Sequence, residues 1–541
     1  MSVPVFSARK IPLVETPIVG QLVREYLCRE DYTIFLSEFQ PSVQGLRDSV
    51  MKRKVFLHDR ETLFQVISNQ YHELERAGES ITNTETEAIR DLSKENTFTV
   101  TTGHQLQLAG GPLFLAYKIL SAVATARFLN STDPTIRIVP IFWLATEDHD
   151  MAEIDHLNFK GLNLKWNNNW RGATGHAPCE GIGNLIDEMA SALQTEPFGE
   201  EFIRLLRDCY KSEYSLSFAT RIFIHRLFGR FGVVMIDADD HLLKSRFADC
   251  MKSELIHQIV RENVSKSLER FPVKTEPQVS PRDINLFYLT DKSRNRITRD
   301  NECWKVVDTD FSFDHKGILK ELEKHPERFS PNVLLRPLYQ AFVLPDIAYI
   351  GGPGELAYWL ELSDLFKHCG IPMPVVLPRN AFLHLDNPTI GKMVKAGLDE
   401  SDLFKSADDL LKRHTESKLG SADPFPALVE KLMLEYSKIE AALIESDKTL
   451  EASVKGELQK ALKGLQQLRE KWIRAEKRKE DTLKSQLERI HEAVFPNGIF
   501  QERSVSLAEF YVKYGQNILD VWLDQCAPVN DSLTILSELT A

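Results

Sequence analysis

Three short stretches of this 541-residue chain concentrate groups able to bind anions or move protons. The first is Thr101-Thr102-Gly103-His104-Gln105, then Gly110-Gly111-Pro112, leading into an apolar helix that carries Lys118. A glycine-rich turn between a buried strand and a helix presents free backbone N–H groups and the positive end of the helix dipole to an anion. Thr102, Gly103, Gln105, Gly110, Gly111, Pro112 and Lys118 are therefore candidates for holding a phosphate or carboxylate, with His104 placed to stabilise developing charge. The spacing is neither G-x-x-x-x-G-K-[ST] nor a clean dinucleotide fingerprint, and a turn needed only for packing would read the same.

The second stretch is Thr146-Glu147-Asp148-His149-Asp150, directly after the apolar run that ends in Trp143-Leu144. Crowded carboxylates repel one another and cost stability unless a ligand or partner answers them. Glu147, Asp148 and His149 are candidates for acid–base catalysis and Asp150 for binding, against the plainer reading of a solvated acidic loop. In the third, Gly351-Gly352-Pro353-Gly354-Glu355 follows another apolar run and opens a helix. Its glycines allow a ligand to approach the backbone closely, although a tight strand-to-helix turn with Glu355 as an N-terminal helix charge is the alternative.

Other candidates are more scattered. Asp237, Asp239, Asp240 and His241 end a further apolar run; Arg282, Arg294 and Arg336 offer cations for carboxylates or phosphates. In the tail, Arg503 and the set Tyr511, Tyr514 and Gly515 can reach back to the sheet, a tyrosine stacking on a purine or simply packing. His149, Glu153 and His156 on one helix face would suit zinc or iron, but the chain has no H-E-x-x-H, so no metal is expected.

The elements that must position these groups read as a doubly wound α/β core. Thr97–Thr101, Ile136–Leu144, Gly232–Ile236, Asp346–Ile350 and Met373–Leu377 are short β-rich or nearly continuous apolar runs, as strands buried on both faces should be. Helical patterns between several of them predict a mostly parallel sheet, whose ligand site lies outside the carboxyl ends of the strands. Residues 1–95 read as mainly helical. From Leu432 to Val494 apolar residues follow a 4-3 spacing with Lys and Glu between, a coiled-coil pattern broken most plausibly at Gly456 and Gly464. Unbroken, it would span roughly 100 Å at 1.5 Å per residue, so a folded-back hairpin or short bundle is expected.

The composition, 43% hydrophobic and 27% charged, is that of a folded globular protein. A net charge of −12 disfavours a large nucleic-acid surface. Seven cysteines without a C-x-x-C pair fit a reducing cytoplasm better than a disulfide framework. No apolar run approaches the ~18 residues of a membrane span, and no secretory signal is read at the N-terminus, so a cytoplasmic protein without membrane partners is expected.

TTGHQLQLAGGPLFLAYK, VPIFWLATEDHDMAEIDH, SPNVLLRPLYQAFVLPDIAYIGGPGELAYW and QERSVSLAEFYVKYG together resemble, in order and over essentially the whole chain, the cysteine ligases of bacillithiol synthesis. That resemblance implies a Rossmann-like core with inserted connecting-peptide subdomains, a C-terminal helical coiled coil used for homodimerisation, and amide formation between cysteine and glucosaminyl-malate. The core of that family is similar to class I aminoacyl-tRNA synthetases, which would put Gly103-His104 at their nucleotide signature and makes ATP or ADP the expected nucleotide. No K-M-S-K-S element and no Cys/His zinc set accompany it. The expected partition is 1–150 for the N-terminal segment and first half-core, 151–220 for a first insertion, 221–244 for core and 245–335 for a second insertion. The second half-core would take 336–420, the coiled coil 421–496 and a tail packing on the core 497–541. A ligase on a different amine and a scaffold without catalysis are the alternatives.

Overall fold

The computed structural model describes residues 5–28, 37–193, 195–271, 276–420, 423–478 and 480–539. The chain forms two compact units, one of Met1–His384 with Glu502–Leu539 and one centred on Leu385–Gln501.

The first unit is organised by five parallel strands, β1 (Thr97–His104), β2 (Arg137–Leu144), β3 (Val234–Asp237), β4 (Asp346–Gly351) and β5 (Val375–Pro378), in the order β5-β4-β1-β2-β3. The apolar runs form these strands because both faces are covered: Phe98, Val100, Ile138, Ile347 and Val375 share one buried cluster. The alternating threonines of β1 are buried too, and Thr99 and Thr101 use their hydroxyls to donate to the carboxylate of Asp346. Burial pushes that carboxyl up to about 7. Gly103 and His104 therefore close a strand rather than sit in the loop after it.

Helix α1 (Leu113–Thr132) crosses from β1 to β2 and is apolar all round because it is a core helix. It is long and apolar enough to cross a membrane by length and composition, which corrects the expectation that no run approaches that size. Between β2 and β3 lie the hairpin His156–Phe159/Leu162–Lys165 and three helices, Ile182–Ala192, Gly199–Cys209 and Leu216–Phe228. His156 starts a strand and Met151–Glu153 is a single 3-10 turn, so His149, Glu153 and His156 share no helix face. Between β3 and β4 come helix α2 (His241–His257), helix Ile259–Glu269, a five-stranded antiparallel sheet from Leu286 to Pro331, and helix α3 (Arg336–Val343). Helix α4 (Pro353–Leu360) follows β4.

The N-terminal stretch is mainly helical as expected, over Gln21–Cys28, Val43–Arg53, Arg60–Arg76 and Asn83–Asp91, with one exception among the described residues. Phe6–Pro12 is a strand, paired antiparallel with Ser532–Glu538, which also borders Ala381–Leu385. The second unit is helical: Asn387–Ala396, Ala407–Leu419, Phe425–Ser446, Glu451–Lys477 and Asp481–Val494. Its long hairpin turns at Asp447, whose carboxylate accepts from Thr449 N–H; Gly456 and Gly464 lie inside the returning helix. Leu487 packs on Leu410 and Leu411, while helix Phe425–Ser446 buries none of its residues.

Candidate active site

Strand order reverses at β1, which continues to β2 on one side and neighbours β4 on the other. In an open α/β sheet that reversal leaves a crevice at the carboxyl ends of the strands. A cleft of about 600 Å³ lies there, within the usual range for small-molecule sites.

One wall is acidic. Glu147, Asp148 and His149 follow β2 and line the cleft beside Gln105. Asp148 accepts from Gln105 Nε2 at 3.0 Å and from the His149 N–H at 2.8 Å, and Arg294 lies 3.8 Å away. Burial opposes ionisation of Asp148, but these hydrogen bonds and the arginine charge together hold its carboxyl well below the usual range. Glu147 differs from its neighbour. Its Oε1 sits 2.6 Å from Lys244 Nζ, an ion pair without a well-aligned hydrogen bond, and burial raises its proton affinity despite that lysine.

The same cleft is rich in cations. Arg282 and Arg294 approach the Phe287 ring, at 5.7 and 4.0 Å from its centroid. Arg336 opens helix α3 and donates to Gln340 Oε1 at 2.9 Å and Tyr358 Oη at 3.1 Å. Arg379 forms a buried two-bond fork with Glu502, its Nη1 donating to Oε2 at 2.6 Å and its Nη2 to Oε1, while Arg503 lies over Phe114. All five arginines line the cleft; the fork neutralises Arg379, and Asp148 partly answers Arg294.

The third corner joins two glycine loops. Gly352, Gly354 and Glu355 line the cleft at the start of helix α4, and nothing lies within 4 Å of where a Gly354 side chain would begin. Glu355 caps the Gly352 N–H at 2.9 Å, accepts from Tyr349 Oη at 2.5 Å and pairs with Lys118 at 2.7 Å. Burial alone would favour its neutral form; Lys118 and these donors instead hold the carboxyl down at about 2. His104, beside it, is pushed down to about 4 by burial and by the Lys118 charge, so its imidazole is neutral at physiological pH.

Gly103, His104, Gln105, Glu147, Asp148, His149, Arg282, Arg336, Gly352, Gly354 and Glu355 thus come together from segments far apart in the chain. Others do not line the cleft. Lys118 is fully buried and donates to the Gly103 carbonyl, tying that strand end to Glu355 instead of meeting a ligand. Thr102 is buried and donates to the Ile350 carbonyl, and Gly351 is wedged against Tyr349 and Leu356. Gly110, Gly111 and Pro112 make no anion cradle: Gly111 O accepts from Leu507 N–H, and Leu113 N–H, the first of helix α1, donates to Val505 O. A side chain at Gly110 would strike Leu507. Asp150 is exposed outside the cleft. Tyr511 donates to Glu201, Tyr514 packs on Phe6 and Phe510, and Gly515, at φ 69°, abuts Phe198. Arg379 belongs to none of the quoted stretches, and only its place in the fold brings it to the cleft; Lys244, behind Glu147, is likewise found only in the fold.

Residues 7–380 match the family described as Bacillithiol biosynthesis BshC, N-terminal Rossmann-like domain, and residues 382–538 its C-terminal coiled-coil domain. A relative in Flavobacterium johnsoniae, named "Putative cysteine ligase BshC", is 35% identical over 525 residues, covering 96% of this chain and 97% of its own. A relative of the same name in Cytophaga hutchinsonii is 36% identical over 526 residues, covering 96% and 98%. Another in Christiangramia forsetii is 35% identical over 539 residues, covering 97% and 98%. Matched in both parts and in order along nearly its whole length, the chain belongs to the bacillithiol biosynthesis BshC family.

Proposed function

We propose that this protein is a cytoplasmic ligase of bacillithiol biosynthesis that joins the carboxyl of L-cysteine to the amine of glucosaminyl-malate. The observation that carries the reading is one cleft lined by both carboxylates and arginines, within a chain that matches this family end to end. An amine that must lose a proton and a malyl group with carboxylates call for those two kinds of group. Arg336, with Arg282 beside the same opening, would hold the carboxylates.

A nucleotide such as ATP would supply the energy, converting a cysteine carboxylate oxygen into a phosphate-type leaving group. The residues at the third corner fit its phosphates: Gly354 leaves its backbone open, and Lys118 cancels the Glu355 charge that would otherwise repel them. As the amine nitrogen bonds to the activated carbonyl carbon and the carbon–oxygen bond breaks, the nitrogen gives up a proton. Glu147 is the fitting acceptor, because its raised proton affinity brings it nearer working pH than the strongly acidic Asp148. His149 and Asp148 then orient the amine. We read the long helical hairpin as the surface through which two copies pair.

Incubating the purified protein with L-cysteine, glucosaminyl-malate and ATP should yield the conjugated thiol by mass spectrometry, with AMP or ADP appearing in equal amount. Neither conjugate nor nucleotide turnover, together with normal bacillithiol in a strain lacking the gene, would remove the assignment.

A further inference from the structure

Helix α2 buries Leu243, Phe247 and Met251, and Lys244 is as buried as they are, with no exposed surface. A lysine head taken wholly out of water costs several kcal/mol unless every donor finds a partner. Here two acceptors and an ion-pair partner surround it: it donates to Asp239 Oδ1 at 2.5 Å and to the Glu327 carbonyl at 2.9 Å, and Glu147 Oε1 lies 2.6 Å away as a counter-charge. Asp239 is itself engaged on its far side, where His176 Nε2 lies 2.9 Å from Oδ2. One carboxylate would be enough to neutralise one ammonium. The second, Glu147, is the one that faces the cleft.

We infer that Lys244 is a positioning residue for the reaction: from behind the cleft wall it aims Glu147 at the substrate and keeps its carboxylate ionised to accept the amine proton. The inference rests on Glu147 being that acceptor. Charged and titratable groups reach Glu147 from four sides: Lys244 on helix α2, Asp239 after β3, Arg294 on the antiparallel sheet and Tyr339 on helix α3. Burial drives Glu147 toward its neutral form and Asp239 adds to that, while Lys244 and Arg294 oppose it. Removing Lys244 therefore shifts Glu147 protonation to higher pH. Removing the Asp239 charge shifts it the other way. A bridge that served only to hold the fold together would produce neither shift.

The experiment is a set of kcat and KM profiles across about pH 5 to 9 for the full-length wild type, K244M, K244R, D239N, E147Q and the double variant E147Q/K244M, each checked by thermal melting. The acidic limb of the kcat profile should rise by about one pH unit or more in K244M, with KM little changed, and return most of the way in K244R. In D239N it should move to lower pH, and the double variant should be no slower than E147Q alone. An unmoved limb in both K244M and D239N, or losses that multiply in the double variant, would overturn the inference. If K244M does not fold, the opposed responses of K244R and D239N decide: a limb that stays at its wild-type pH in D239N sinks the inference. Near-normal turnover by E147Q would instead show that the underlying choice of proton acceptor is wrong.

Discussion

The α/β unit buries its own apolar surface, whereas the long hairpin of the helical unit does not. Phe98, Val100, Ile138, Ile347 and Val375 are buried in one cluster of the α/β unit. In helix Phe425–Ser446, Leu428, Met433, Leu434, Ile439 and Leu443 remain exposed, and Leu468 on the returning helix does too. Each such side chain contributes roughly 1.5–3 kcal/mol when fully covered. The unit with a covered core can hold catalytic groups in fixed positions at the ends of its strands. The unit with an uncovered stripe is suited to bind another copy. The comparison breaks if stripe substitutions damage the chemistry or cleft substitutions change the assembly.

The largest effect is expected at the buried clamp between the two cleft loops. Lys118→Met would leave Glu355 with its backbone and tyrosine donors but without a counter-charge. Breaking a buried pair from one side typically costs about 3–5 kcal/mol. A clear fall in melting temperature should accompany loss of turnover, and an unchanged melt would show that the clamp carries little of the unit's stability. On the acidic wall, Glu147→Gln, Asp148→Asn and His149→Ala should each lower turnover by roughly 10²-fold or more while leaving the melt nearly unchanged. His104→Gln should leave the acidic limb of the pH profile in place, since an imidazole pushed down to about 4 is already neutral where the enzyme works. A limb that vanished in His104→Gln would transfer the titrating role to that histidine.

The hairpin gives a smaller catalytic effect and a larger change in mass. Lysines at Ile439, Leu443 and Leu468 should shift the particle from dimer to monomer in light scattering, with turnover per chain changed by less than about threefold. An unchanged mass would place the pairing surface elsewhere.

How much of this was legible depends on how locally each feature is specified. The core strands could be read because burial on both faces leaves an unbroken apolar run, as in Ile138–Leu144; their ends lie a few residues from the expected ones where strand and turn compete. Strand Phe6–Pro12 could not, because its partner Ser532–Glu538 lies at the other end of the chain. The acidic wall was visible as carboxylates following an apolar run. Its support was not: Lys244 looks like any lysine on an amphipathic helix until Glu147 and Asp239 are found on either side of it. The glycines at 110 and 111 misled for the converse reason, since a glycine demanded by tight packing and one that admits a phosphate look alike in sequence. Arg379 and Arg503 become cleft residues only because the tail returns to the α/β unit.

The smallest expected effect tests that last point, by asking whether the tail aromatics serve the cleft or only the packing of the tail. Tyr511 is buried, packs tilted against Phe202 at 4.8 Å between ring centroids and donates from its hydroxyl to Glu201 at 2.7 Å. Tyr511→Phe keeps the ring and its packing and removes one hydrogen bond to an exposed carboxylate, a loss of about 0.5–1.5 kcal/mol. Melting should fall slightly, while the KM for the nucleotide and kcat stay at wild-type values, because the ring is not part of the cleft wall. Gly515→Ala gives the steric counterpart: it forces a side chain at φ 69° and within 2.9 Å of the Phe198 ring, so it should destabilise more than Tyr511→Phe yet still leave KM unchanged once folded. A selective rise in nucleotide KM in either variant would return these residues to the binding site and would mean that the tail does more than pack on the unit that holds the chemistry.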